Sequence, residues 1–220
     1  MRWVDAVVFD LDGVLLESEQ VWSAAKRELT REQGGSWKPA AEREMLGMSS
    51  TEWSRYMRDE LSVGLEPAQI SEAVAELVAA RYRAELPLIP GADEAVRALA
   101  ARFPLGLASS SNRQTIDLVL ELTGWRECFS ATTSSEEVAH GKPAPDVYLE
   151  TARRLGASPE RCAAVEDSDA GIRSALAAGM TVVAIPNRAY PPDPATVGKA
   201  DAVLDSLAQL EGAISSLSAR

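Results

Sequence analysis

The chain is expected to fold as an α/β protein: a parallel sheet with helices on both faces, and an all-helical insert after the first strand. Three observations predict this. The run Val7-Val8-Phe9 is apolar throughout rather than alternating, as a strand buried on both faces must be. From residue 87 onward, short apolar runs alternate with stretches of helical period, the pattern of strand–helix–strand units. Between these, residues 17–86 carry helical spacing only, so the alternation is interrupted once.

The elements follow in order. Residues 17–33 place Val21, Trp22, Ala25 and Leu29 on one helical face. Helices over 50–62 and 67–85 continue, the second with Ile70, Val74, Leu77 and Val78 in register and Pro67 in its first turn. Leu86-Pro87-Leu88-Ile89-Pro90-Gly91 reads as a boundary. A helix spans roughly 91–102, and Leu105 to Ala108 form a strand ending in Ser109. Ser111 or Asn112 then caps a helix with the stripe Ile116, Val119, Leu120. Phe129 to Thr133 are a weak strand, and a helix lies near 145–156. Ala163-Ala164-Val165 form a strand exiting into Glu166-Asp167. Ser168 or Asp169 starts a helix that Gly179 stops in a left-handed cap. Strands at 181–185 and 201–204 and a helix from about Ser206 complete the chain. The core is therefore Rossmann-like and discontinuous, residues 1–16 plus 87–220, with a helical cap at 17–86.

Composition narrows the function. Lys+Arg number 22 and Asp+Glu 33, a formal charge of −11 over 220 residues. No basic patch stands out, which argues against nucleic acid or an anionic membrane as partner. Cys128 and Cys162 are far apart, in no metal-binding spacing, and read as reduced packing residues of a cytoplasmic protein. Near the N-terminus Asp5 and Asp10 break up every apolar stretch, so neither a signal peptide nor a membrane span is expected. No apolar stripe suggests an interface, and a monomer is the expectation.

Ligands of open parallel sheets sit beyond the carboxyl ends of the strands. There the chain places Asp10 and Asp12, Ser109, and Glu166 with Asp167, while Gly141-Lys142-Pro143 fixes a lysine in a nearby loop. Asp10-Leu11-Asp12-Gly13 could begin a calcium loop, but positions 14–16 are apolar where such a loop needs oxygen ligands. Four clustered acids would repel one another, and a bound Mg²⁺ with Lys142 would offset them. Hard oxygen ligands favour Mg²⁺ over softer metals.

The four segments Asp10-Leu11-Asp12-Gly13-Val14, Leu107-Ala108-Ser109, Gly141-Lys142-Pro143 and Glu166-Asp167-Ser168 resemble the ordered motifs of the haloacid dehalogenase-like hydrolases. Gly171 to Met180 and Ile185-Pro186-Asn187 extend the likeness, and the insert resembles the cap of the β-phosphoglucomutase and phosphoglycolate phosphatase subgroup. The resemblance implies Asp10 as nucleophile and Asp12 as acid and base. It implies Mg²⁺ held by Asp10, the Asp12 carbonyl and Asp167, with Glu166 orienting bound water. Ser109 would bind a phosphoryl oxygen and Lys142 would neutralise charge. Ser109, Ser110, Asn112 and Trp22 are the expected substrate contacts. His140 is expected on a surface loop, Asp169 as a first-turn helix acid, and Arg55 and Arg58 as solvated helix charges. Most of the cap's large rings (Trp37, Trp53, Tyr56, Tyr82) are expected to pack between helices.

Departures from the pattern select a reaction. Mutases of this subgroup carry a histidine where this chain has Trp22, and an arginine where Ser50 follows Gly47-Met48-Ser49. Dehalogenases lack the second acid that Asp12 supplies. A phosphatase acting on a small phosphorylated metabolite is the leading expectation, a sugar-phosphate mutase the alternative, and a non-catalytic binding module the third.

Overall fold

The computed structural model describes residues 4–45 and 48–218. At its centre lies β1 (Ala6–Phe9), flanked by β2 (Leu105–Ser109) and β4 (Cys162–Glu166). With β3 (Phe129–Ser134), β5 (Thr181–Ala184) and β6 (Ala202–Val203) they form one sheet in the order β3-β2-β1-β4-β5-β6, every pair parallel. Successive side chains feed two apolar layers. Val7 and Phe9 join Leu105, Leu107 and Val165 on one side. Ala6 and Val8 join Ala108, Cys162 and Ala164 on the other. Burial on both faces explains why the strands read as unbroken apolar runs.

Helices α1 (Glu19–Glu32), α2 (Ala41–Glu44), α3 (Ser50–Asp59) and α4 (Pro67–Ala84) lie between β1 and β2, followed by α5 (Ala92–Ala100). After that come α6 (Arg113–Thr123), α7 (Asp146–Leu155), α8 (Asp169–Ala177), α9 (Pro194–Val197) and α10 (Leu210–Ser218). The first helix begins two residues later than its spacing suggests, because the Glu17 amide donates to the Pro87 carbonyl at 2.8 Å. The Ile89 amide donates in turn to Leu15, and Leu16 pairs antiparallel with Leu88. The two connections to the helical insert therefore run side by side. Helix α3 stops at Asp59, three residues short of the expected end, and Ser62 adopts a left-handed φ of 60° beyond it. Both α2 and α9 are single turns, too short to leave a periodic trace in the sequence.

Several helix ends follow from local chemistry. Pro67 occupies the first turn of α4, where a missing amide costs nothing. The Asn112 carboxamide oxygen accepts from the Thr115 amide at 2.8 Å and caps α6, and the Ser168 hydroxyl accepts from the Gly171 amide to cap α8. Gly179, at φ +78°, closes α8 with the Met180 amide donating to Ala175. Among the described residues no helix is long and apolar enough to cross a membrane.

Candidate active site

Parallel register carries the ends of β1, β2 and β4 to one edge: Phe9 pairs with Leu107 and with Val165. Asp10 follows directly and is 7% exposed. Lys142, from the loop before α7, places its Nζ 2.8 Å from Asp10 Oδ1 and 2.6 Å from Glu166 Oε1. The Tyr148 hydroxyl also donates to Glu166 Oε1, at 2.7 Å. The other oxygen of Glu166 accepts from the Asp167 amide and the Ser168 hydroxyl. Both carboxylate oxygens of Glu166 are thus engaged.

Asp12 stands in different company. It accepts from the Ser18 hydroxyl at 2.5 Å, the Ser111 hydroxyl at 2.7 Å and the Ser109 hydroxyl at 3.4 Å. Ser109 Oγ itself accepts from the Ser111 amide. Two neighbouring acids are therefore held differently, Asp10 by a cation and Asp12 by hydroxyls that can rearrange. The two carboxylates thus sit in different surroundings, one beside a fixed ammonium and the other among neutral donors.

Asp10, Glu166 and Asp167 bring one carboxylate oxygen each within 4.8 Å of one another, all buried. Burial raises the Asp10 carboxyl to about 7; Lys142 opposes this, and Glu166 and Asp12 reinforce it. Asp167 is pushed well above the carboxylate range, by burial first and then by Glu166 and Asp10. Burial works against the Lys142 ammonium, but Asp10 and Glu166 more than compensate and its pKa rises. Asp167 Oδ2 accepts from the Asn187 carboxamide at 3.2 Å, whereas Oδ1 is buried with no partner. An orphaned carboxylate oxygen amid unmet negative charge is a donor set suited to a hard divalent cation.

Two glycines make room for these carboxylates. A Cβ on Gly13 would stand 1.9 Å from Asp167 Oδ2, and one on Gly171 would stand 1.9 Å from Glu166 Oε1. Gly13 also has φ +86°, which side-chain-bearing residues avoid. Gly13→Ala is expected to lower the melting temperature by several degrees, the strain alone costing about 1 kcal/mol. It should also weaken divalent-cation binding by displacing Asp167, which a calorimetric titration would read. Unchanged cation affinity would show that Asp167 can move without loss.

The remaining expected residues are placed unevenly. Ser110 is half-buried in the same turn as Ser109. Asn112 is 7% exposed, and its carboxamide oxygen serves the α6 cap. Trp22, on α1, packs at 6.1 Å against Trp53 of α3. His140 is exposed and lies 3.2 Å from Asp146. Arg58 is paired with Glu66, and Arg55 is exposed. Gly47, three residues before Ser50 in the sequence, lies outside the described residues. Sequence reasoning did not single out Ser18, Ser111 and Asn187 as hydrogen-bond partners of the acids, nor Tyr148. Position at a strand exit could have flagged Ser111, two residues past Ser109. Tyr148 sits in an apolar helical stripe with Val147 and Ala152, so nothing marked its hydroxyl.

Known proteins resemble the chain over most of its length. A family model, haloacid dehalogenase-like hydrolase, matches residues 4–179. Hexitol phosphatase B of Escherichia coli (strain K12) is 33% identical over 215 residues, 95% of each chain. The bifunctional riboflavin kinase/FMN phosphatase of Arabidopsis thaliana is 31% identical over 203 residues. That match covers 91% of this chain and 53% of the relative, so this chain spans about half that protein's length. Among solved structures, a variant of CbbY from Rhodobacter sphaeroides, in complex with xylulose-(1,5)bisphosphate, superposes with a TM-score of 0.83 at 29% identity, over 94% of this chain and 96% of that one.

Proposed function

The chain belongs to the haloacid dehalogenase-like hydrolases and is a phosphate monoester hydrolase; we propose that it is a Mg²⁺-dependent phosphatase of small phosphorylated metabolites, working through an aspartyl-phosphate on Asp10. The observation that carries this reading is the split environment of the two acids, Asp10 on the Lys142 ammonium and Asp12 on three hydroxyls.

Asp10 attacks phosphorus, and the ester P–O bond breaks. Asp12 gives its proton to the departing alkoxide. It then takes one from the water that attacks the aspartyl-phosphate, so free phosphate leaves and both carboxyls return to their starting states. Ser109 donates to a phosphoryl oxygen, and Lys142 offsets charge on Asp10 and the transferring group. Mg²⁺, when bound by Asp10, Asp167 and the Asp12 backbone carbonyl, supplies positive charge toward the phosphoryl oxygens. Glu166, with both oxygens already engaged, orients Lys142 and bound water rather than joining that set. Residues 17–86 serve as the cap, hinged at 16–17 and 86–90, and exclude water when closed. Against a mutase, Trp22 offers no titratable group where mutases of the subgroup carry a histidine, and Ser50 is a buried neutral residue where they carry an arginine.

Phosphate release from a panel of sugar phosphates, phosphoglycolate and nucleotides, with Mg²⁺ and with chelator, tests this reading. Mg²⁺-dependent release from at least one ester is expected; no release from any would overturn it.

The cation should also show in stability. The Asp10 carboxyl titrates near 7 in the fold against 3.8 ordinarily. The folded state thus keeps a proton that the unfolded chain loses, and this contribution is full below the ordinary value and gone above about 7. A cation binds the deprotonated form. The rise in melting temperature on adding Mg²⁺ is therefore expected to be larger at about pH 8 than at about pH 5.5. Equal shifts at both would contradict it.

A further inference from the structure

Lys26 lies in α1, on a different element from the acids already described, and is 6% exposed. Buried charges are normally paired, because leaving water is costly. Lys142 obeys that rule and Lys26 does not: among the described residues its Nζ has no ion-pair or hydrogen-bond partner. Its neighbours are aromatic. The ammonium stands 5.9 Å from the Trp22 ring centroid and 5.0 Å from that of Trp53. Burial holds its pKa down at about 8, against the opposing pull of Glu19, Asp12 and Glu42. Glu42 is already engaged by the Tyr190 hydroxyl and Arg27, and Asp12 by its serines.

Its direction follows from helix geometry. Ser18, whose hydroxyl touches Asp12, precedes α1, and Trp22 and Lys26 follow at four-residue steps on the same face. Side chains on a helix lean toward its N-terminus, so Lys26 leans back toward Asp12. Eight residues span about 12 Å of helix axis, and the lysine stem recovers about half of that. The ammonium therefore leans to the Asp12 end of the helix, within reach of that carboxylate's field and walled by two indoles.

We propose that Lys26 sets substrate specificity by binding a second anionic group, a carboxylate or a phosphate, on the part of the substrate remote from the ester being cleaved. The inference rests on the phosphatase reading and names its substrate class: small monoesters bearing a distal anion. In the absence of that anion the lysine is held only by ring faces and by acids beyond pairing distance.

Matched pairs of esters test it. In one pair, 3-phosphoglycerate and glycerol 3-phosphate differ by a carboxylate; in the other, fructose 1,6-bisphosphate and fructose 1-phosphate differ by a phosphate. The wild type is expected to favour the doubly anionic member of at least one pair by about tenfold to a hundredfold in KM, the range of a charge-assisted hydrogen bond. Whichever pair responds identifies the anion. Lys26→Met keeps the stem and removes the charge, and it should collapse that ratio toward one. Its melting temperature should be equal or higher, since a buried ammonium is gone. A lysine that merely offsets Glu19 and Asp12 would instead lower the melting temperature and slow every ester alike. Equal KM values within both pairs, or a ratio retained by Lys26→Met, would overturn the inference. Tryptophan fluorescence of Asp10→Asn, titrated with the same four compounds, reads occupancy beside Trp22 and Trp53 without turnover. If no ester is hydrolysed the phosphatase reading fails, and this titration still decides the role of Lys26: tighter binding of a doubly anionic member supports it, and equal binding within both pairs rejects it.

Discussion

Asp10→Asn is expected to lower kcat on every phosphate ester by at least about a thousandfold while the fold survives intact. The amide is isosteric and can still accept from Lys142, so the 2.8 Å contact need not be lost. What disappears is the nucleophilic oxygen charge, and no neighbour can replace it. Glu166 has both oxygens engaged, and Asp12 faces the serine side of the site. Stability should move the other way. The Asp10 carboxyl is raised to about 7, chiefly by burial, so its charged form is disfavoured in the fold. The neutral amide removes that penalty. The variant should match the wild type below the ordinary carboxyl value of 3.8, gain on it as the pH rises, and hold its full advantage above about 7, with Mg²⁺ absent. Added Mg²⁺ should narrow or reverse the gap, because it favours only the carboxylate. Measuring kcat with melting curves at two pH values checks both halves. Retained turnover would remove Asp10 from the nucleophile's role, and a lower melting temperature at alkaline pH would show that its charge stabilises the fold.

Much of the fold was legible because its signals are local. Unbroken apolar runs mark β1, β2, β4 and β5, and Pro67, Asn112, Ser168 and Gly179 punctuate the helices. Reading the strand exits also brought the acids to one edge, since parallel strands in register end together; Ser109 and Glu166 turn out to be the last residues of their strands rather than the first beyond them. What the sequence could not supply was contact between elements. Tyr148 meets Glu166 across 18 residues, Ser111 meets Asp12 across 99, and Asn187 meets Asp167 across 20. No period or spacing encodes those distances. Lys26 is the clearest case. Nothing in the sequence marked it, since its burial beside Trp22 and Trp53 needs α3 packed against α1.

Lys142→Met should be the most damaging single change in the chain. Its ammonium is the only charged partner within pairing distance of Asp10 and Glu166 among the described residues, and all three side chains are at most 9% exposed. Removing one member of a buried ion pair typically costs about 3–5 kcal/mol, because the partner charge is stranded. Here two carboxylates are stranded together, in a site where burial and mutual repulsion already raise Asp10 and Asp167. The sign of the pH dependence follows. Lys142 lowers the Asp10 pKa, so its loss lets that value climb further, and the folded variant must take up protons that the unfolded chain does not hold at neutral pH. The deficit should therefore be largest at about pH 8 and shrink toward about pH 5, as denaturant titrations at both would read. Turnover should fall by at least about a hundredfold, since the charge offset at the transferring phosphoryl goes with it. Excess Mg²⁺ should restore part of the stability by neutralising the acids, but not the turnover. The decisive comparison is the double variant. If Lys142 acts through Asp10, adding Asp10→Asn should recover a measurable part of the stability lost in Lys142→Met, a coupling that independent residues would not show. Full additivity would mean that Lys142 serves Glu166 alone.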